Sequence, residues 1–262
     1  ATLACQIEAE LPVDLPGEES SPAVGVGPLA SLQLELTDDL SLGATAARRH
    51  RFPTLRERFS RGGGYRLPNP ELQPEAAWHF DAEVAWRAAG WLSLEASLFD
   101  AVIEEVTLGG GRTRIENVGQ ARLAGAELSA RVRPLPRIRI DASYALLHAR
   151  RVGADDERLE YRPAHKLTAG LIALPFSRVE LSSFVRVVGP QSFRNPNTGA
   201  WGILGTYATW DAQLKVRAAS FATVLARATN LLDASYQTKF GYPDPGRQFW
   251  LGIEAGLPGE GG

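Results

Sequence analysis

The chain has 262 residues, 22% of them charged, and a formal net charge of −2, with 28 Lys and Arg against 30 Asp and Glu; no positive excess points to a nucleic-acid backbone as partner. Its single cysteine, Cys5, cannot form an internal disulfide, and no Cys or His pair has the spacing of a structural zinc site. Charged residues interrupt every apolar stretch well short of the roughly 18 residues a membrane-crossing helix needs. Residues 1–13, "ATLACQIEAELPV", in a chain without Met, read as a strand already under way, so the chain is expected to begin mid-protein with targeting information upstream.

Further along, "TDDLSLGATAARRHRFPTLRERF" (37–59) turns at Asp38-Asp39 and runs as a strand into the basic cluster "ARRHR" (47–51) before a long loop, 52–75. Segment 76–89, "AAWHFDAEVAWRAA", tests helix against strand: Ala and Glu favour a helix, but Trp78, Phe80, Ala82, Val84, Trp86 and Ala88 fall on every second residue. The two-residue period outweighs propensity. After a short turn at Gly90, Leu92, Leu94, Ala96 and Leu98 alternate with Ser93, Glu95 and Ser97, which predicts a long hairpin.

The same alternation continues in "ARLAGAELSARV" (121–132), in Ile138 to Leu146 against Arg137, Arg139, Asp141 and Ser143, and in Leu167 to Ala173. It recurs in Val179 to Val187 against Arg178, Glu180 and Arg186, in Ala208 to Val216 against Asp211, Gln213 and Lys215, and in Ala222 to Ala228. The last strand sets Phe249, Leu251, Ile253 and Ala255 against Gln248 and Glu254. About twelve strands result. Tight turns near 38–39, 90, 134–136, 175–177 and 219–220 alternate with long loops near 52–75, 108–113, 152–160, 190–206 and 236–246. In an up-and-down meander this sorts short connections to one rim and long ones to the other, the pattern of outer-membrane barrels.

Strand length supports that reading, because soluble strands run about 5–6 residues and several here sustain twice that. The polar faces carry too many charges for a sandwich interior, which argues against a soluble β-sandwich. In lipid, unpaired edge groups force closure. Trp78, Trp86, Trp91, Tyr144, Trp210 and Phe249 suit interfacial girdles.

Candidate chemistry is sparse. His50, His79, His148 and His165 lack His or Cys partners at ligating spacing, so no metal is expected. "RGGGYR" (61–66) and "LGGGR" (108–112) are glycine-rich loops outside the strand–helix–Lys context of a phosphate loop. No "GxSxG" elbow, "HExxH" or paired-carboxylate signature appears, so no catalytic residue and no cofactor is expected. The cluster at Arg48, His50 and Arg51 sits where an anionic chelate or a lipopolysaccharide phosphate would be attracted, although charge runs are commonly solvated faces.

An ordered series of motifs resembles TonB-dependent outer-membrane receptors. "RFPTLRE" (51–57) is similar to a loop of that family, followed by "NPELQPE" (69–75), "IENVGQARLAGAEL" (115–128), "RPAHKLTAGL" (162–171), "NLLDASY" (230–236) and "GYPDPGR" (241–247). The resemblance covers most of residues 22–257. It implies an all-β fold, an antiparallel up-and-down transmembrane β-barrel of which these twelve strands are the C-terminal half, a complete barrel having about 22 strands. Residues 1–257 would be barrel and 258–262 a C-terminal tail, "PGEGG" after Leu257 departing from the family's usual aromatic ending. The family's plug domain is not recognisable here.

For function, the resemblance implies active uptake of a scarce nutrient such as a siderophore, haem or cobalamin, with outer-membrane lipid, lipopolysaccharide and the TonB complex as partners, the last through an N-terminal region absent from this chain. By position it places substrate contacts in the long loops, at Tyr65, Arg66, Arg194 and Trp201, beside Arg48, His50 and Arg51. The alternative is a self-contained smaller outer-membrane barrel acting as a passive pore, adhesin or lipase.

Overall fold

The computed structural model describes residues 2–10, 14–15, 18–19, 23–59, 68–104, 107–108, 115–117, 119–153 and 158–256. Along the chain come β1 (Thr2–Glu10), the short β2 (Asp14–Leu15) and β3 (Glu18–Glu19), β4 (Ala23–Thr37), β5 (Leu40–Arg51) and the helix α1 (Leu55–Phe59). Then follow β6 (Glu75–Ala89), β7 (Leu92–Glu104), β8 (Thr107–Leu108), β9 (Glu116–Asn117), β10 (Gln120–Leu135), β11 (Ile138–Val152), β12 (His165–Phe176) and β13 (Val179–Val188). The chain closes with β14 (Gln191–Arg194), β15 (Trp201–Leu204), β16 (Tyr207–Ala219), β17 (Ala222–Thr229), β18 (Gln237–Lys239), β19 (Tyr242–Pro243) and β20 (Gln248–Ala255).

Twelve strands form one sheet in the order β1-β4-β5-β6-β7-β10-β11-β12-β13-β16-β17-β20, so each pairs with its predecessor in the meander. The remaining eight are two-stranded ribbons inside the long connections. The segment tested for helix is strand β6, as its alternation predicts.

Two-residue turns join β4 to β5, β6 to β7, β10 to β11, β12 to β13 and β16 to β17. Among the described residues, positive φ is confined to Tyr161, Asn230, Asp233, Gly119, Gly153, Gly199 and Gly241, none of them in these turns. The mirror-image turns usual in such hairpins are therefore unused. Instead the register shifts beside three of them, between Glu35 and Thr37, Ala173 and Phe176, and Arg217 and Ala219, and a bulge of this kind supplies the extra local twist. Two turns fall a residue or so later than Pro134–Pro136 and Pro175–Ser177 suggest, at 136–137 and 177–178.

The chain divides into two compact units, one of residues 1–84, 97–125 and 148–159, the other of residues 85–96, 126–147 and 160–262. In the first, buried apolar side chains lie toward the long-loop end: Leu72 (1% exposed), Ile115, Ala47, Ala101 and Ala121. On its strands β4 and β5, by contrast, Leu32, Leu34, Leu36 and Leu42 stand exposed.

In the second unit the register separates the faces. Leu181 pairs with Leu214, and next to them Glu180 pairs with Lys215 on the opposite face. The apolar face continues as Ala142–Ala169–Val185–Trp210 and Val216–Val224–Ile253. Its large side chains, Leu171, Leu214, Phe249, Leu251 and Ile253 among them, are exposed. Polar groups on this face satisfy one another: Trp210 Nε1 donates to Ser183 Oγ at 2.8 Å, and Tyr144 Oη lies 2.6 Å from His165 Nδ1. Among the described residues no helix is long and apolar enough to cross a membrane.

Candidate functional site

In the second unit, the polar face is built from rows of directly paired residues. One row runs Ser143–Thr168–Arg186–Thr209, the next Asp141–Gly170–Phe184–Asp211, and a third Arg139–Ile172–Ser182–Gln213–Arg227–Trp250. Gly170 has no side chain to fill the wall between Asp141 and Phe184, and these rows line a cavity of about 680 Å³. Asp141 accepts from Arg131 and from Arg139, each at 2.8 Å, while Asp211 accepts the Asn230 N–H at 2.8 Å. The Arg186 guanidinium lies 5.4 Å over the Phe184 ring. Neither Arg186 nor Arg227 makes an ion pair among the described residues. Such a surface presents oriented charge, and Ser129 Oγ donates to Glu95 Oε2 at 3.3 Å within it.

At the long-loop end of this unit, the ribbon β14–β15 pairs Gln191 with Leu204, Ser192 with Ile203, Phe193 with Gly202 and Arg194 with Trp201. Alternation puts Gln191 and Phe193 on a buried face, and Arg194, Trp201 and Ile203 (72% exposed) on the other. Of the residues expected at the substrate, Arg194 and Trp201 are thus cross-strand neighbours. Arg194 Nε also donates to the Gly199 carbonyl at 3.0 Å, closing the ribbon's loop. That loop is an Asx-type turn, with Asn195 Oδ1 accepting from the Asn197 N–H.

Strand β17 ends at Asn230 because its side chain satisfies the backbone that leaves the sheet. Oδ1 accepts from Ala234 N–H at 3.0 Å, and Nδ2 donates to the Ala234 and Pro245 carbonyls. Asp233 accepts the Arg247 N–H at 2.9 Å, and this bond, with the Arg247 guanidinium, holds its carboxyl below the usual range. Asp244 accepts the Thr238 N–H at 2.8 Å. Burial raises the Tyr236 hydroxyl, helped by nearby Asp244. The motifs "NLLDASY" and "GYPDPGR" are therefore the two halves of one hydrogen-bonded loop.

In the first unit, the motifs interlock similarly. Thr54 and Glu57 form a reciprocal capping box that starts α1: Thr54 N–H donates to Glu57 Oε2 at 2.8 Å and Glu57 N–H to Thr54 Oγ1 at 3.3 Å. Arg51 donates from Nη1 to Glu57 at 3.0 Å and from Nε and Nη2 to Glu75 at 2.9 and 3.0 Å. Partial burial opposes the charge on Glu57, but the Thr54 N–H and Arg51 outweigh it and hold its pKa below the usual range. Asn69 Nδ2 donates to the Ile115 carbonyl at 2.8 Å, and Asn117 exchanges two hydrogen bonds with the Gln73 backbone.

The expected contact residues are distributed accordingly. Arg51 is engaged by two carboxylates, Arg48 pairs with Glu104 at 3.3 Å, and the His50 ring sits where a Cβ on Gly25 would fall, 2.6 Å away. Tyr65 and Arg66 lie outside the described residues, as does the 258–262 tail. Among the described residues, no group of three or more His, Cys, Asp or Glu is placed to hold a metal.

A long antiparallel meander with one exposed apolar face and one charged face defines the class of β-barrel wall proteins. The chain belongs to the family described as TonB dependent receptor-like, beta-barrel, which matches residues 13–231. Among solved structures it is similar to the ferric-catecholate import receptor Fiu from K12 E. coli, with TM-score 0.72, 20% identity and coverage of 90% of this chain and 35% of that one. The siderophore receptor PirA from Acinetobacter baumannii gives TM-score 0.74 at 13% identity, covering 91% and 42%. The copper transporter OprC gives 0.71 at 22%, covering 90% and 40%. The chain thus spans well under half the length of these structures.

Proposed function

We propose that this chain is the C-terminal wall of an outer-membrane TonB-dependent uptake receptor, with residues 1–257 as wall and 258–262 as a tail. The observation that carries the reading is the division of the long strands of the second unit into an exposed, mainly apolar face and a charged face. Large apolar patches left bare in a monomer mark an interaction surface, and here lipid is the occupant that fits a whole sheet face. The main strands described in the second unit's meander run to 13 residues in β16, more than the 9–11 or so needed to cross a bilayer at a tilt.

The cargo we propose is a small nutrient such as a metal chelate, because relatives of this fold include receptors named for ferric-catecholate and siderophore uptake; OprC is named a copper transporter, so fold alone does not choose among cargoes. The TonB complex would act through a region preceding this chain. Arg194 and Trp201, on the exposed face of β14–β15, are the first-choice contact residues, with Arg48, His50, Arg51, Tyr65 and Arg66 as the remaining candidates.

The test is accumulation of a radiolabelled ferric tris-catecholate by cells with and without the gene, in the presence and absence of an uncoupler. The proposal expects accumulation that needs both the gene and the proton gradient. Gene-dependent entry that survives the uncoupler would replace it with the passive pore.

A further inference from the structure

The ribbon β14–β15 does not stand alone. Phe193, 8% exposed, stacks on Phe240 with ring centroids 4.3 Å apart and planes 13° from parallel. On the same face of the ribbon, buried Gln191 donates from Nε2 to the Thr238 carbonyl at 3.1 Å. The far side of that second loop is tied as well, Tyr236 stacking on Tyr207 at 4.2 Å. A third loop joins through Tyr161, whose N–H donates to the Ser192 carbonyl at 2.8 Å. Tyr161 has φ 55, a conformation a bulky residue keeps only when its surroundings hold it.

Gly202 is the contact on which this arrangement turns. It lies directly across the ribbon from Phe193, and the ring occupies the space a side chain would need: a Cβ there would be 2.5 Å from Phe193 Cζ and 2.7 Å from Cε1. The ring cannot swing aside freely, because Phe240 is stacked against it. Hence the glycine lets the aromatic ring fold over the ribbon's own backbone and reach the neighbouring loop.

We propose that Gly202 and Phe193 are positioning residues that lock β14–β15 to the loop carrying β18–β19, so that the two, with residues 160–164, open and close as one body. The face bearing Arg194, Trp201 and Ile203 is thereby presented in a fixed orientation. The coupling stands on the contacts above; its use in uptake rests on the reading of Arg194 and Trp201 as substrate contacts.

Hydrogen exchange on the whole protein in detergent, with Gly202→Ala and Phe193→Leu, tests this. Overpacking by Gly202→Ala should raise exchange about tenfold to a hundredfold in 191–204 and in 237–243 together, while β12 and β13 stay as protected as in the wild type. Phe193→Leu should expose 237–243 and leave the ribbon's own amides protected, and in the Gly202→Ala background it should restore the ribbon's protection by making room for the added methyl. A rise confined to 191–204, or one spread over β12 and β13, would overturn the coupling. The ferric tris-catecholate accumulation assay separates the two layers: coordinated loosening with unchanged accumulation would leave the coupling standing and remove Arg194 and Trp201 as contact residues.

Discussion

The Arg51 clamp makes the sharpest prediction about local stability. Arg51→Ala removes a guanidinium that joins the start of α1 to the start of β6, through Glu57 and a two-pronged bond to Glu75. The Arg51 side chain is 45% exposed, but Glu75 and Glu57 are only 16% and 26% exposed, so the deletion removes the guanidinium from two mostly covered carboxylates. Exposed ion pairs contribute about 0.2–1 kcal/mol each, and hydrogen bonds to charged groups about 1.5–3 kcal/mol. Taken together and discounted for the exposure of Arg51, the local loss is about 2–3 kcal/mol, or roughly 30- to 150-fold in the opening equilibrium. Hydrogen exchange of peptides covering 52–59 and 75–80 reads this directly, with the tight turn at 38–39 as internal reference. Arg51→Lys should rescue little, since a point charge cannot hold both carboxylates in this geometry. A change of less than about threefold in 52–59, or an equal change at 38–39, would refute the clamp.

Leu214→Arg, on the apolar face, should destabilise folding into vesicles by up to about 2–4 kcal/mol, whereas Gln213→Arg, one residue away on the charged face, should be near neutral; equal costs in a denaturant titration would contradict the face assignment. Asn230→Ala removes three side-chain hydrogen bonds from a residue 4% exposed and forces alanine into φ 49, which should cost about 2–4 kcal/mol and release amides 231–247 to exchange. Glu57 has a folded pKa below its unfolded value, so its contribution is complete above about pH 4.3 and is lost as pH falls through the lower, folded value. Protection of 52–59, corrected for intrinsic rates, should therefore fall on acidification below that point in the wild type and change little in Glu57→Gln.

The meander was legible because alternation reports on which face a residue occupies, and lipid-facing and water-facing surfaces differ sharply. It is imperfect: Phe184, Leu225, Ile172 and Trp250 occupy the charged face by register, where a water-lined wall tolerates apolar side chains. Ser183 sits among apolar residues because the Trp210 indole needs an acceptor. Helix α1 is five residues long, too short for periodicity, although its Thr54–Glu57 box is visible in the sequence once sought. The partners of Arg51 were less accessible, since Glu75 lies 24 positions away and only folding brings it near. The ribbons β14–β15 and β18–β19 are likewise too short to be read from alternation, so the long loops at 190–206 and 236–246 look irregular until the contacts between Phe193 and Phe240 are known.

The hairpin turns free of left-handed residues bear on how such walls diversify. A connection that demands no glycine or asparagine accepts nearly any pair of amino acids, so selection there has little to police. Lineages can rewrite these joints, graft a peptide into them or duplicate the flanking pair of strands while the neighbouring ladders keep their alignment. Variation at these joints is thereby decoupled from the ladders on either side of them.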